Sequence, residues 1–122
     1  MGPIVIIDYD STWPRDFILL RSRVWPAVQR LAHSIEHVGS TSVVGLAAKP
    51  VIDISIVVPT DGEVSAAIES LALVGYHHRG DLGVPGREAF EQPDDLPRHH
   101  LYLCPAGSPA LHNHLALRDY LR

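Results

Sequence analysis

Two stretches of this chain carry residues whose types and spacing could do chemistry together. The first is a glycine–serine bend, Gly39-Ser40-Thr41-Ser42. The second is Asp53, set in the β-prone run Val51-Ile52-Asp53-Ile54-Ser55-Ile56-Val57-Val58. Glycine has no side chain to hold a ligand off, so such a bend brings backbone N–H groups and serine hydroxyls close to an anion. Gly39, Ser40 and Ser42 are the expected contacts for a phosphate. A carboxylate in an Ile/Val strand is costly unless it binds a cation, is paired, or caps a loop, with Lys49 one available partner. Lys49, Arg87 and Arg98 could complete a phosphate site, arginine through its bidentate fork and lysine as a point charge. Each alone is more often a solvated surface charge.

Histidine is abundant, with eight in the chain. Neighbours on a strand point to opposite faces, so His99 and His100 do not converge on one metal, and at most one of them faces Asp53. His112 and His114 lie about 200° apart on a helix and do not converge either. A dedicated zinc site is therefore disfavoured.

These residues need elements to hold them. Alternation in the strand puts Asp53 on one face with Val51, Ser55 and Val57, and Ile52, Ile54, Ile56 and Val58 on the other. Ser34 to Val38 reads as the short strand leading into the bend. Before it, Phe17, Leu20, Val24, Val28 and Leu31 recur at helical spacing, predicting a helix from about Pro14 to Ala32. Pro26 should break or kink that helix near Trp25. Thr60 and Glu63 form a capping box ahead of the stripe Val64, Ala67, Ile68, Leu71. Tyr76 to Arg79, Arg87 to Glu91 and Arg98 to Cys104 read as strands. Ser108-Pro109 starts a last helix, with Leu111, Leu115 and Leu121 expected on its buried side. Ile4 to Ile7 is a further β-prone run. The order predicts one α+β domain over residues 1–122, a mixed sheet packed on one face by helices.

The chain resembles the GrpB family from Val5 to Arg122. The motifs are Tyr9-Asp10-x-x-Trp13-Pro14, Glu36-His37-Val38-Gly39-Ser40-Thr41-Ser42 and Gly45-Leu46-Ala47-Ala48-Lys49-Pro50-x-Ile52-Asp53. Gly80-Asp81-x-Gly83-x-Pro85-Gly86-Arg87, Arg98-His99-His100-Leu101 and Arg118-Asp119-Tyr120-Leu121-Arg122 complete the set. The bend followed by an acidic strand also resembles the nucleotidyltransferase superfamily signature, in which the strand bears Asp-x-Asp or Asp-x-Glu. The resemblance implies a nucleotidyltransferase-like mixed sheet and a further helix beyond Arg122. It implies Asp53 as the first of two or three carboxylates holding Mg²⁺ for in-line phosphoryl displacement. It also brings His37 and His100 forward as a base or as phosphate ligands, with Glu36 and His99 as neighbours in the pocket.

Two departures stand out. Ser55 replaces the second acid, and a serine hydroxyl is a poor Mg²⁺ ligand. The strand Arg98 to Cys104, expected to bring a third carboxylate, carries His99 and His100 instead, and imidazole favours transition metals. Asp81 or Glu36 would have to substitute in space. The expected function is binding of a nucleotide or phosphorylated small molecule, with metal-assisted transfer as its catalytic form and Asp53 and His100 as the catalytic pair. The alternative is a non-catalytic accessory module, as in related domains fused to dephospho-CoA kinase. A Gly-x-x-x-x-Gly-Lys-Ser/Thr loop is missing, so kinase activity is not expected.

Composition bounds the rest. Apolar content of 46% and charged content of 20% are globular values. A net charge of −4 argues against a broad nucleic-acid surface. The single cysteine, Cys104, fits a reducing cytoplasm. No run approaches the roughly 20 apolar residues of a membrane span, and Ile4 to Ile7 is too short for a signal peptide.

Overall fold

Two central strands set the architecture: Ile52–Val58, buried at every position but Asp53, and His99–Pro105, whose His100 and Tyr102 are more open. A computed structural model describes residues 5–122. In order these form α1 (Trp13–Val28), β1 (Ser34–Val38), a 3-10 turn (Ser40–Ser42), β2 (Ile52–Val58) and a second 3-10 turn (Asp61–Glu63). Then come α2 (Val64–Ala72), β3 (His77–His78), β4 (Glu88–Glu91), β5 (His99–Pro105) and α3 (Pro109–Leu121). The mixed sheet runs β1-β2-β5-β4-β3. β2 and β5 are parallel at its centre, and the other pairings are antiparallel.

One sheet face is apolar. Ile52, Ile54, Ile56 and Val58 of β2, with Leu101 and Leu103 of β5, join Leu20, Val24 and Val28 of α1 and Ala67 and Leu71 of α2 in one core. Each large side chain so buried contributes roughly 1.5–3 kcal/mol. The capping box at Thr60 and Glu63 is present, but it opens the 3-10 turn, which runs directly into α2.

Several expectations need correction. The first helix neither breaks at Trp25 nor reaches Ala32. It carries Pro26 in its last turn and stops at Val28, so the proline costs a single hydrogen bond near the end rather than the whole helix. Of the run Ile4 to Ile7, Ile4 lies outside the described residues. Ile7 makes only an isolated antiparallel bridge to Ala48, with N···O distances of 2.9 Å each way. Helices do not pack on one face alone, because α3 lies against the other, where Leu111 and Leu115 meet Val57 and Cys104. Leu121, expected on the buried side of α3, is exposed.

Candidate functional site

The second sheet face is built from the same strands in opposite phase. Asp53 is paired across the parallel ladder with His100, and Ser55 with Tyr102. Directly paired residues share a face, so Asp53, Ser55, His100 and Tyr102 form a patch of four. His100 Nδ1 lies 2.9 Å from Asp53 Oδ1. A carboxylate accepts, so Nδ1 donates, and the neutral ring keeps its lone pair on Nε2. The other carboxylate oxygen rests against the bend. A Cβ on Gly39 would come within 2.3 Å of Asp53 Oδ2, and Gly39 sits at φ 72°, ψ −176°, a region open only to glycine. The bend and the carboxylate fit together because position 39 has no side chain.

A cavity of about 140 Å³ opens beside them, lined among others by Ser40, Thr41, Lys49, Asp53 and His100. Ser40, Lys49 and His100 are exposed, and the Asp53 side chain is 28% exposed. A second, smaller cavity of about 70 Å³ lies between the bend and α3, lined by Gly39, Ser40, His114, Leu117, Arg118 and Leu121. Ser42 holds the bend shut, its hydroxyl donating to the Gly39 carbonyl at 2.6 Å.

The remaining residues singled out in the sequence lie elsewhere. His37 is stacked on Phe17 and bonded to Thr41 Oγ1 at 2.9 Å. Burial pushes its pKa down to about 4, with Arg122 adding to the effect. His99 points into the apolar core, between the Tyr76 hydroxyl and the Pro97 carbonyl, each 2.6 Å away. The carbonyl must accept from Nδ1, so Nε2 accepts from Tyr76. Burial lowers the His99 pKa and pushes Tyr76 up to about 12.

Glu36 shares the Asp53 face but is bound to Arg118 at 3.0 Å, which removes it as a free carboxylate. Asp81 caps its own loop through Gly83 N–H at 2.8 Å. Arg87 lies over the Tyr102 ring at 4.5 Å, outside the residues lining the larger cavity. Arg98 is exposed and also outside that lining. Ser55 is wholly buried. Among the described residues no three His, Cys, Asp or Glu side chains gather as a metal site.

Sequence reasoning missed Arg118, Arg122, Tyr102 and His114. Arg118 donates to Glu36 Oε1 and the His37 carbonyl, and Arg122 donates twice to the Ser42 carbonyl, at 3.3 and 3.2 Å. Their four-residue spacing placed both on one side of a helix, a readable signal. Tyr102 alternates with His100 and could have been drawn in by the same period-two argument.

Comparison with known proteins bears on the family and the fold. A family model described as GrpB protein matches residues 3–122. The chain is 35% identical over 119 residues to UPF0157 protein YqkA of Bacillus subtilis (strain 168), covering 98% of this chain and 35% of the relative. It is 34% identical over 119 residues to UPF0157 protein SCO7215 of Streptomyces coelicolor, covering 98% and 61%. It is 32% identical over 101 residues to a dephospho-CoA kinase of Mycolicibacterium paratuberculosis, covering 76% of this chain and 25% of that protein. The chain thus spans about a third to three-fifths of the first two relatives.

Among solved structures, conserved protein GrpB from Enterococcus faecalis superposes with a TM-score of 0.84 at 28% identity, covering 97% of this chain and 72% of that one. The Cid1 poly(U) polymerase bound to MgGTP superposes at 0.63 and 16% identity, covering 94% and 38%. At that identity the second likeness speaks for the fold alone. With the family model matching nearly end to end and the fold superposing on these neighbours, this chain belongs to the GrpB family and has a nucleotidyltransferase-like fold.

Proposed function

We propose that this domain binds a nucleotide or another phosphorylated small molecule in the cavity beside Asp53, in the cytoplasm. The observation that carries the reading is the shared cavity itself. Ser40 and Thr41 of the bend, Lys49, Asp53 and His100 line one space of about 140 Å³. Lys49 supplies charge for a phosphate, and the bend supplies hydroxyl donors. The small residues Ala47 and Ala48 leave room beside them.

The donor set does not fit the two-metal arrangement of the superfamily. Asp53 has one oxygen on His100 and the other against Gly39, Ser55 is sealed in the interior, and Glu36 is held by Arg118. Any Mg²⁺ in this reading would come with the ligand's phosphates, with Asp53 as its one protein carboxylate.

The Asp53–His100 hydrogen bond favours a second catalytic reading. His100, oriented through Nδ1, would take the proton of an acceptor hydroxyl on Nε2 as that oxygen bonds to phosphorus. The bond from phosphorus to the leaving oxygen breaks, and Lys49 balances the charge left on that oxygen. A non-catalytic role shares the same pocket, and the dephospho-CoA kinase relative supports it as an accessory domain.

Thermal unfolding with a panel of nucleotides, with and without Mg²⁺, tests the reading, since a ligand selective for the folded state raises the midpoint. A shift that Lys49→Ala and Asp53→Asn both reduce is the expected result. No shift with any phosphate compound would sink it. A shift that ignores both substitutions would move the site elsewhere.

A further inference from the structure

The surface beneath α3 is unlike a permanent core. Ser55 Oγ, Arg87 Nε and His114 Nδ1 are all shielded from solvent with no hydrogen-bond partner among the described residues. All three belong to residues grouped around Tyr102. Ser55 is its partner across the ladder, Arg87 covers its ring at 4.5 Å, and the His114 ring lies 5.9 Å from it. An unmade hydrogen bond in a buried site is a standing cost, so a closed interface holding three is poised to open.

The way α3 is held fits that state. In its first half Leu111 is seated on Val57 and Cys104 with the partly buried Leu115 packed against them, and Ser108 caps the helix by accepting from Leu111 N–H at 3.2 Å. Toward the other end the bonds are polar and few. Arg118 reaches Glu36 and the His37 carbonyl, and Arg122 reaches the Ser42 carbonyl. Leu117, Tyr120 and Leu121 are exposed. The fastening at Ser42 is made to the same bend that faces the Asp53 cavity.

We propose that α3 is a hinged cover, and that Ser55, Tyr102 and Arg87 beneath it form the compartment for the nucleoside end of a nucleotide. The proposal rests on the phosphate reading of the Asp53 cavity and extends it by one step along the sheet. Ser55 and Tyr102 lie two residues beyond Asp53 and His100 on the same face, so a ligand with phosphates at Ser40 and Lys49 extends its sugar and base toward them. In the closed state the tilted His114 ring lies 5.9 Å from the Tyr102 ring, close to where a base would come. When α3 swings away it removes that ring and uncovers the unpartnered hydroxyl and guanidinium N–H, which can bind sugar or base-edge groups.

Two measurements on the whole chain test this. In amide hydrogen exchange without ligand, α3 from His114 onward should exchange at least about tenfold faster than β2 and β5, through local opening. Equal protection in α3 and the central strands overturns the cover. In the second, inorganic tripolyphosphate and nucleoside triphosphates are compared by thermal shift. The nucleotides should bind about tenfold tighter than tripolyphosphate, and Tyr102→Leu should abolish that advantage while leaving tripolyphosphate binding intact.

Ser55→Ala guards against a misfolded Tyr102 variant. It should raise the midpoint of the free protein, by removing an unmet hydroxyl, and still weaken the nucleotide advantage. Equal affinity for tripolyphosphate and nucleotides overturns the compartment and leaves the phosphate reading standing. Binding of neither overturns both.

Discussion

The two faces of the central sheet use the same two strands and are built on opposite principles. Toward α1 and α2, β2 and β5 present Ile52, Ile54, Ile56, Leu101 and Leu103. The polar group that joins them, His99, has both ring nitrogens bonded. Toward α3, the same strands present Asp53, Ser55, His100 and Tyr102. Among the described residues, Val57, Cys104, Leu111 and Leu115 form a small apolar cluster there, and three buried polar atoms have no hydrogen-bond partner. The first face is sealed and satisfied, as a face must be to hold the fold together. The second trades packing for a cavity, a fixed carboxylate and a surface that a polar ligand could complete. Alternation along the strands lets one domain do both, because adjacent residues serve opposite faces.

Substitutions on the two faces should therefore have different consequences. The largest effect is expected from Ile54→Ala, which opens a void in a wholly buried position and should cost about 2–5 kcal/mol in denaturant unfolding. Leu115→Ala, on the α3 side, should cost about 1 kcal/mol, because Leu115 is only partly buried. Equal losses would erase the contrast.

Gly39→Ala comes next. It places a methyl group against Asp53 Oδ2 in backbone that only glycine adopts, and should cost roughly 1–3 kcal/mol while abolishing any phosphate binding. Retention of a normal binding shift would show that the cavity does not depend on that close fit.

The third prediction concerns acid. His37 and His99 have folded-state pKa values below the usual histidine value because both are buried. The unfolded chain then binds more protons than the folded one, so stability is full above about pH 6.5 and falls as pH drops toward about 4. Tyr76→Phe removes the donor to His99 Nε2 and should lower stability at neutral pH. A stability curve flat from pH 7 to about 4.5 would contradict this account.

The smallest expected effect is from Arg23→Ala. Its pair with Asp95 spans 3.5 Å between side chains 54% and 69% exposed, and should contribute less than about 0.5 kcal/mol.

Much of the fold was legible in the residues. The alternation in Val51 to Val58, the capping box at Thr60 and Glu63, and the stripe in α2 are local patterns that local physics enforces. The neighbouring histidines also had to diverge, and the structure puts His99 in the core and His100 beside Asp53. The face taken by α3 was not legible. Its apolar residues Leu111 and Leu115 are too few to specify a partner surface, and its arginines reach acceptors far away in sequence. Glu36 illustrates the same limit. Sequence names it as a substitute carboxylate, but only the strand register puts it on the Asp53 face, and only the fold reveals that Arg118 occupies it.

By itself the sequence determined which side chains share a strand face, where the chain must turn at glycine, and the membership that its motifs carry. Those follow from the two-residue period of a strand and from the backbone freedom of glycine, both properties of neighbouring residues. Only the tertiary structure decided which carboxylate stays reachable, which histidine it holds, and which arginines fasten α3 over Ser55. Those depend on contacts between segments distant along the chain, and no local pattern encodes which of several available partners a charged or polar group will meet.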